Sequence, residues 1–252
     1  MKHLLVSIFI IISILGLRAQ NVAEQAQKAY QDGEFRTAIE LFEKEIETAK
    51  AEGKVSPELY YNLGNAYFRV NEVPKAILNY ERAQLYDPGD RDIKHNIEYA
   101  QTRIEDKILV ADNFFLSIWF QGVQNLQSSN AWAKLSVFLF ILFIGTLVLF
   151  FFSPKLVFKK IGFYAGIALF VLLIFTNIFA VNQKDKVENR NTAIVMAGSA
   201  PVVSSPSTSS KELFVLHAGT KVVISKEDGD WLEIEIANGS IGWIQKSKLE
   251  II

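Results

Sequence analysis

Cysteine is absent from the 252 residues, and histidine is limited to His3, His95 and His217. Without cysteine there are no disulfides, thiolate zinc sites, cysteine nucleophiles or cysteine-linked lipids. No two histidines have metal-ligand spacing, and neither an HExxH nor a GxSxG pattern occurs. The stretch YNLGNAY holds a single glycine, too few for a phosphate loop. A strong charge of either sign is also missing. The net charge is -1, so nothing global calls for nucleic acid. These absences lead to an expectation of no enzyme, no cofactor, no metal and no nucleic-acid partner. The charge imbalance is local: Asn21 to Lys107 carry 17 acidic and 12 basic residues.

Half of the residues are hydrophobic, and the excess sits in three blocks. The first, Leu4 to Leu15 after Lys2 and His3, has the proportions of a signal peptide over 1–19, with Leu17-Arg18-Ala19 before a cut at Gln20. An uncleaved anchor is the alternative, and both send the following residues across a membrane. The second block, Leu135 to Phe152, is free of charge, and its 18 residues span about 27 Å of helix against a hydrocarbon core of ~30 Å. Trp132 and Lys134 stand at its edge as interfacial anchors, giving a span over 132–152. The third block gives a span over 161–181, interrupted only by Thr176 and Asn177. Buried helices of a soluble protein are the bland alternative, and two such runs so close together argue against it.

Between the spans, residues 153–160 hold Pro154, Lys155, Lys159 and Lys160. The fifteen residues before Trp132 hold no Lys or Arg. The positive-inside rule puts this loop in the cytoplasm, although Lys184, Lys186 and Arg190 in the linker 182–191 weigh the other way. The signal segment favours the same topology: a multi-pass inner-membrane protein with both flanking domains on the periplasmic side. The juxtamembrane segment 111–131 contains Phe114, Phe115, Ile118, Trp119, Val123 and Leu126 at helical spacing. Such a helix lies on the bilayer or packs on the preceding domain.

Residues 20–110 read as an all-α domain. From Pro57 to Pro88, Tyr60, Leu63, Gly64 and Tyr67 share one helix face, and Ala76, Tyr80 and Ala83 share another. This resembles the tetratricopeptide repeat at its signature positions. Gly64 and Ala76 let two helices approach, and the tyrosines fill the space around them. A weaker copy holds Ala26, Gly33, Phe35, Ala38, Ile39 and Phe42, with Ala38 and Ala76 lying 38 positions apart. Ile93, Ile97, Ala100, Ile104 and Ile108 predict a capping helix. Two repeats are fewer than such arrays need, so the cap or a partner must complete the core. The first helices should form a groove bearing Tyr61, Asn62, Asn65, Phe68 and Arg69, extended by His95, Asn96 and Arg103. Asn can hold a peptide backbone and Arg a carboxylate. Plain solvation of these side chains is the alternative.

Residues 192–252 change period. Five strands are predicted at Ala193–Met196, Leu213–Leu216, Lys221–Ser225, Trp231–Ala237 and Ile241–Gln245, with turns at Ala218-Gly219, Asp228-Gly229 and Asn238-Gly239. The run LHAGTKVVI, then DGDWLEIEI, then NGSIGWIQKSKLE resembles a bacterial SH3 domain, an all-β barrel. Trp231 and Trp243 are either surface residues for a peptide or cell-wall strand, or supports of a small core. His217 is expected to be an ordinary turn residue. The fold expected for the chain is therefore a multi-domain membrane protein: helical repeats, a two-helix transmembrane hairpin and an SH3-like barrel.

That whole order, together with the KHNIEYAQTRIEDKI helix and the FFLSIWF stretch, resembles the BatE proteins of Bat aerotolerance operons. The resemblance implies a membrane-anchored adaptor in stress tolerance. It would bind protein partners, among them other Bat membrane proteins with von Willebrand A domains, and have no established enzymatic activity. The alternative is a cell-wall protein binding peptidoglycan through its barrel.

Overall fold

The computed structural model describes residues 22–54, 56–108 and 114–252. The signal peptide expected over 1–19 lies outside these residues. Contacts divide the chain into two units. One joins the helical repeats to the C-terminal sheet, and the other holds the apolar helices.

In the first unit, residues 22–31 are helical (α1). They are followed by α2 (Phe35–Ala51), α3 (Pro57–Arg69), α4 (Val73–Tyr86) and α5 (Arg91–Gln101). The start signals are local. The Ser56 hydroxyl accepts from the Glu58 N–H at 3.2 Å, with Pro57 at the first helical position. Asp90 accepts from the N–H groups of Asp92 and Ile93. The turns within the two repeats place Gly33 (φ 84°) and Asn71 (φ 64°) at equivalent positions in the left-handed region, which those two residue types tolerate best. Tyr60, Leu63 and Tyr67 are buried, as are Ala76, Tyr80 and Ala83. At Gly64 an added Cβ would lie 2.6 Å from the Tyr80 ring and 3.2 Å from the Ala76 carbonyl oxygen. That position admits only glycine without movement.

The capping helix is shorter than its pattern. It ends at Gln101, and the Lys107 ammonium donates to the carbonyls of Gln101 and Thr102, satisfying two orphan acceptors of the last turn. Ile104 and Ile108 therefore do not continue the helical stripe. Ile104 packs on the repeat core and Ile108 on the core of the sheet.

The sheet has seven antiparallel strands, two more than the pattern predicts. They are β1 (Thr192–Val195), β2 (Ser199–Val203), β3 (Glu212–His217), β4 (Lys221–Asp228), β5 (Trp231–Glu235), β6 (Ile241–Gln245) and β7 (Leu249–Ile251), in the order β3-β2-β6-β5-β4-β1-β7. The extra strands are β2, which carries Pro201, and the three-residue β7. Val202, Leu216, Val222, Leu232, Ile234 and Ile244 fill its core.

The repeats and the sheet share a core. Ile194 of β1 and Ile252 are fully buried among Ile77, Tyr80 and their neighbours, with Met196 and Ile104 packed alongside. Gly219, in the turn between β3 and β4 (φ 96°), seats against Ile104 and Ile77, where a Cβ would collide with the Ile104 side chain. The sheet thus helps to complete the short helical array.

The second unit consists of α6 (Phe115–Gln124), α7 (Ser129–Phe152) and α8 (Leu156–Glu188). Both α7 and α8 are long and apolar enough to cross a membrane. Their connection is only Ser153 to Lys155. Lys159 and Lys160, expected in a loop, belong to α8, and so do residues 182–188 of the expected linker. At 33 residues, α8 is about 50 Å long, well beyond a hydrocarbon core. Gly162 and Gly166 let the helices close: a Cβ on Gly162 would lie 2.8 Å from the Thr146 carbonyl oxygen. Asn177 Nδ2 donates to the Ser136 hydroxyl at 2.7 Å and to its own Leu173 carbonyl, so the donor end of this amide in the apolar run is satisfied. The overhanging end of α8 grips the end of α6. Gln183 donates to the Gln124 carbonyl at 3.0 Å and to Asn125, while the Trp132 indole also donates to the Gln124 carbonyl. Phe120 packs on Phe179. Phe115, Ile118 and Trp119 remain exposed on α6.

Candidate functional site

The residues expected in the groove come from α3, α5 and, for Arg103, the turn after α5. Most of them meet. Asn96 donates to the Tyr61 hydroxyl at 3.1 Å and to Asn65 Oδ1 at 3.0 Å, and the Tyr80 hydroxyl donates to the same Asn65 oxygen at 2.8 Å. This network fixes both amides and, among the described residues, shows no hydrogen bond to Asn65 Nδ2 or Asn96 Oδ1, the atoms that would face a ligand. Burial pushes the Tyr80 hydroxyl well above the usual phenol range, and its neighbours Tyr61 and Tyr30 add to this, so it stays a neutral donor.

Phe68 packs on Tyr99 at 5.5 Å between ring centres. Arg103 lies 6.0 Å from the Phe68 ring and 5.7 Å from that of Tyr99, and it also donates to the Tyr99 hydroxyl. Arg69 lies 4.4 Å from the Phe35 ring and 6.0 Å from that of Tyr30. Stacking holds each guanidinium without neutralising it. Asn62 is half-buried and His95 exposed, and neither joins the network. Tyr30 and Tyr99 join this surface and escaped the sequence pattern, while Phe35 and Tyr80, expected there only as packing residues of the repeats, support it through Arg69 and Asn65. Tyr99 could have been found, since it lies three and four residues after Asn96 and His95 on one helix.

On the sheet, Trp231 and Trp243 are half-buried and belong to neither core cluster. Leu232 and Ile234 point inward on β5, and Gly242 and Ile244 on β6. Both tryptophans therefore occupy the outward face, with Glu233 opposite Trp243. Lys226 pairs with Glu233 at 2.9 Å beside them.

A third cluster was not visible in the sequence. Asp106 accepts from the His217 N–H at 2.8 Å and from the Thr220 hydroxyl at 2.6 Å, and it meets the His217 Nδ1 at 2.7 Å. Burial alone would raise the Asp106 carboxyl, but the bonds from Thr220 and His217 together bring it below its ordinary value. The hydrogen bond to Asp106 raises His217, against a smaller desolvation effect, and Glu105 adds to the rise. His217 is thus no mere turn residue, because it pins the sheet to the chain after α5. Lys221 pairs with the buried Glu81 at 2.5 Å, and Arg82 with Glu250 at 2.9 Å, along the same contact.

The comparisons agree with this division. A tetratricopeptide-repeat model matches residues 57–90, and a bacterial SH3 domain model matches residues 199–250. The search of curated proteins finds no match. The chain combines a helical tetratricopeptide-repeat region, two long apolar helices and a C-terminal antiparallel sheet of the bacterial SH3 type. Both matched domains are binding modules. Strand β1, which carries Ile194 into the repeat core, lies before the matched SH3 segment.

Proposed function

We propose that the protein is a membrane-anchored adaptor of the BatE kind. Its repeat groove holds a protein partner outside the cytoplasm, and another Bat membrane protein is the candidate. The observation that carries this is the shared core. The repeats precede the two apolar helices and the sheet follows them, yet Ile194 and Ile252 are buried among repeat residues. Domains with one core lie on one side of a membrane, which supports a hairpin that crosses twice. With the signal-like first block, that side is the periplasm, and the turn at Ser153 to Lys155 is cytoplasmic. The exposed Phe115, Ile118 and Trp119 of α6 suit the bilayer interface.

Cysteines introduced at Ser56 and Ser240 should both react with an impermeant thiol reagent when the outer membrane is permeabilised, and one at Ser153 should not. Opposite behaviour of Ser56 and Ser240 would rule out the hairpin. In the groove, Asn62→Ala with Arg69→Ala should weaken partner capture at least about tenfold, on the scale of ~1.4 kcal/mol per factor of ten. Loss of exposed stacking on Phe35 should cost the fold only about 0.5–1 kcal/mol. Undiminished capture by the folded double variant would move binding away from this face.

The outward position of Trp231 and Trp243 favours one alternative, a barrel that binds peptidoglycan. Sedimentation of the protein with purified cell wall, lost on Trp231→Ala with Trp243→Ala, would favour that activity over the adaptor.

A further inference from the structure

One face of α6 is tied to α8 by contacts that run in step along both helices. Lys186 donates to Asn125 Oδ1 at 3.1 Å. Next to it, Gln183 donates to the Gln124 carbonyl at 3.0 Å and Asn182 to Gln124 Oε1 at 3.2 Å. One turn further, the Phe120 ring meets the Phe179 ring at 4.9 Å. The step from Gln124 back to Phe120 thus follows the step from Gln183 back to Phe179. On α8 that step leads from the polar overhang into the apolar run, so α6 is carried the same way towards its own start.

The opposite face holds Phe115, Ile118 and Trp119, spaced by three and four positions. They are 68%, 57% and 62% exposed. No charged residue occurs between Asp112 and Lys134. Phe179 also stands beside Phe175, which is exposed on α8 together with Ile178. The apolar surface of α6 therefore continues onto the surface that a spanning α8 turns to lipid. Protein interfaces carry a polar rim around an apolar centre, whereas no charged side chain belongs to this face.

We infer that α6 enters the periplasmic leaflet start-first, as a third membrane element, and that lipid covers Phe115, Ile118 and Trp119. This placement rests on the twice-crossing hairpin and adds to it the direction of entry. The start of α6 has no side-chain cap, and open backbone N–H groups are costly in hydrocarbon. The depth is thereby set at the boundary of headgroups and acyl chains, where lipid oxygens are within reach and a tryptophan is at home.

The chain has no cysteine, so one introduced cysteine takes a nitroxide label without competition. The test uses the full-length protein in vesicles of phosphatidylethanolamine and phosphatidylglycerol. The label is placed by Phe115→Cys, Ile118→Cys or Trp119→Cys. These side chains are exposed, so a label displaces little packing. Glu188→Cys on the overhang is the water reference and Ile141→Cys on α7 the lipid reference; both positions are exposed. Relaxation by oxygen reports lipid, and relaxation by a water-soluble nickel chelate reports water. At the three α6 positions the nickel effect should be lost and the oxygen effect gained relative to Glu188→Cys, with Phe115→Cys deeper than Trp119→Cys. A nickel effect as large as at Glu188→Cys would put this face in water, and loss of both effects would mean that protein covers it. Either result overturns the inference. Equal depth at Phe115→Cys and Trp119→Cys, or the reverse order, overturns the direction of entry. A nickel effect at Ile141→Cys would instead remove the hairpin itself, and α6 with it.

Discussion

Gly64→Leu lowers the melting temperature of a soluble chain joining residues 22–108 to 191–252 by several degrees. The reason is steric. A single added Cβ already lies 2.6 Å from the Tyr80 ring, and three more carbons must follow it. Overpacking of this kind costs about 1–3 kcal/mol, which is roughly 2–10 °C for a domain of this size. Tyr80 cannot simply swing away, because its hydroxyl is bonded to Asn65. The substitution should therefore also disturb the Asn65–Asn96 network and weaken the groove. Circular dichroism melting curves measure the first effect. A melting temperature equal to that of the parent would remove the close α3–α4 contact from the structure.

Asp106→Ala is the second large effect. It strands the His217 N–H and the Thr220 hydroxyl at the contact between sheet and repeats. Hydrogen bonds to a charged group contribute about 1.5–3 kcal/mol, and partial solvent access keeps the total near the lower figure. The parent should show a distinctive pH dependence. His217 is raised in the folded state, so its contribution is fully present below the ordinary histidine value of about 6.5 and is lost as pH rises through the raised value. Asp106 is lowered, so its contribution is present above the ordinary aspartate value of about 3.9 and is lost as pH falls through the lowered one. The contact is strongest between roughly pH 4 and 6.5 and weakens towards alkaline pH. Melting temperatures taken from pH 4 to 9 should fall on the alkaline side in the parent, with that slope reduced in Asp106→Ala. The same alkaline slope in both proteins would take the cluster out of the contact.

Local patterns reveal what local forces decide. Helical period alone puts Tyr60, Leu63 and Tyr67 on one side of α3 and Asn62, Asn65 and Arg69 on the other, and the structure keeps that split. Unbroken apolar runs mark α7 and α8, but not where α8 stops, because helix geometry continues through Lys159 at one end and Lys186 at the other. β2 escapes because Pro201 argues against a strand, and β7 because three residues carry too little pattern. The stripe through Ile104 and Ile108 continues past the true end of α5, because those residues are apolar for contact with the sheet and not for a helix face. Tertiary pairings have no local signal. Asp106 and His217 are 111 positions apart, and nothing near either one points to the other.

The core shared by repeats and sheet has a consequence for the order of synthesis. Arg82 and Glu250 are 168 positions apart, with both apolar helices between them. The entropy of closing so long a connection grows only slowly with its length, so the finished contact loses little stability. Timing is affected much more, since contacts this distant in sequence form late. While the ribosome is still making α7 and α8, Ile77 and Ile104 wait without Ile194 and Ile252, and the helical array stands open on one side. A chain halted at this stage exposes the surface that chaperones and proteases recognise. Burial of that surface marks the chains in which both ends have arrived.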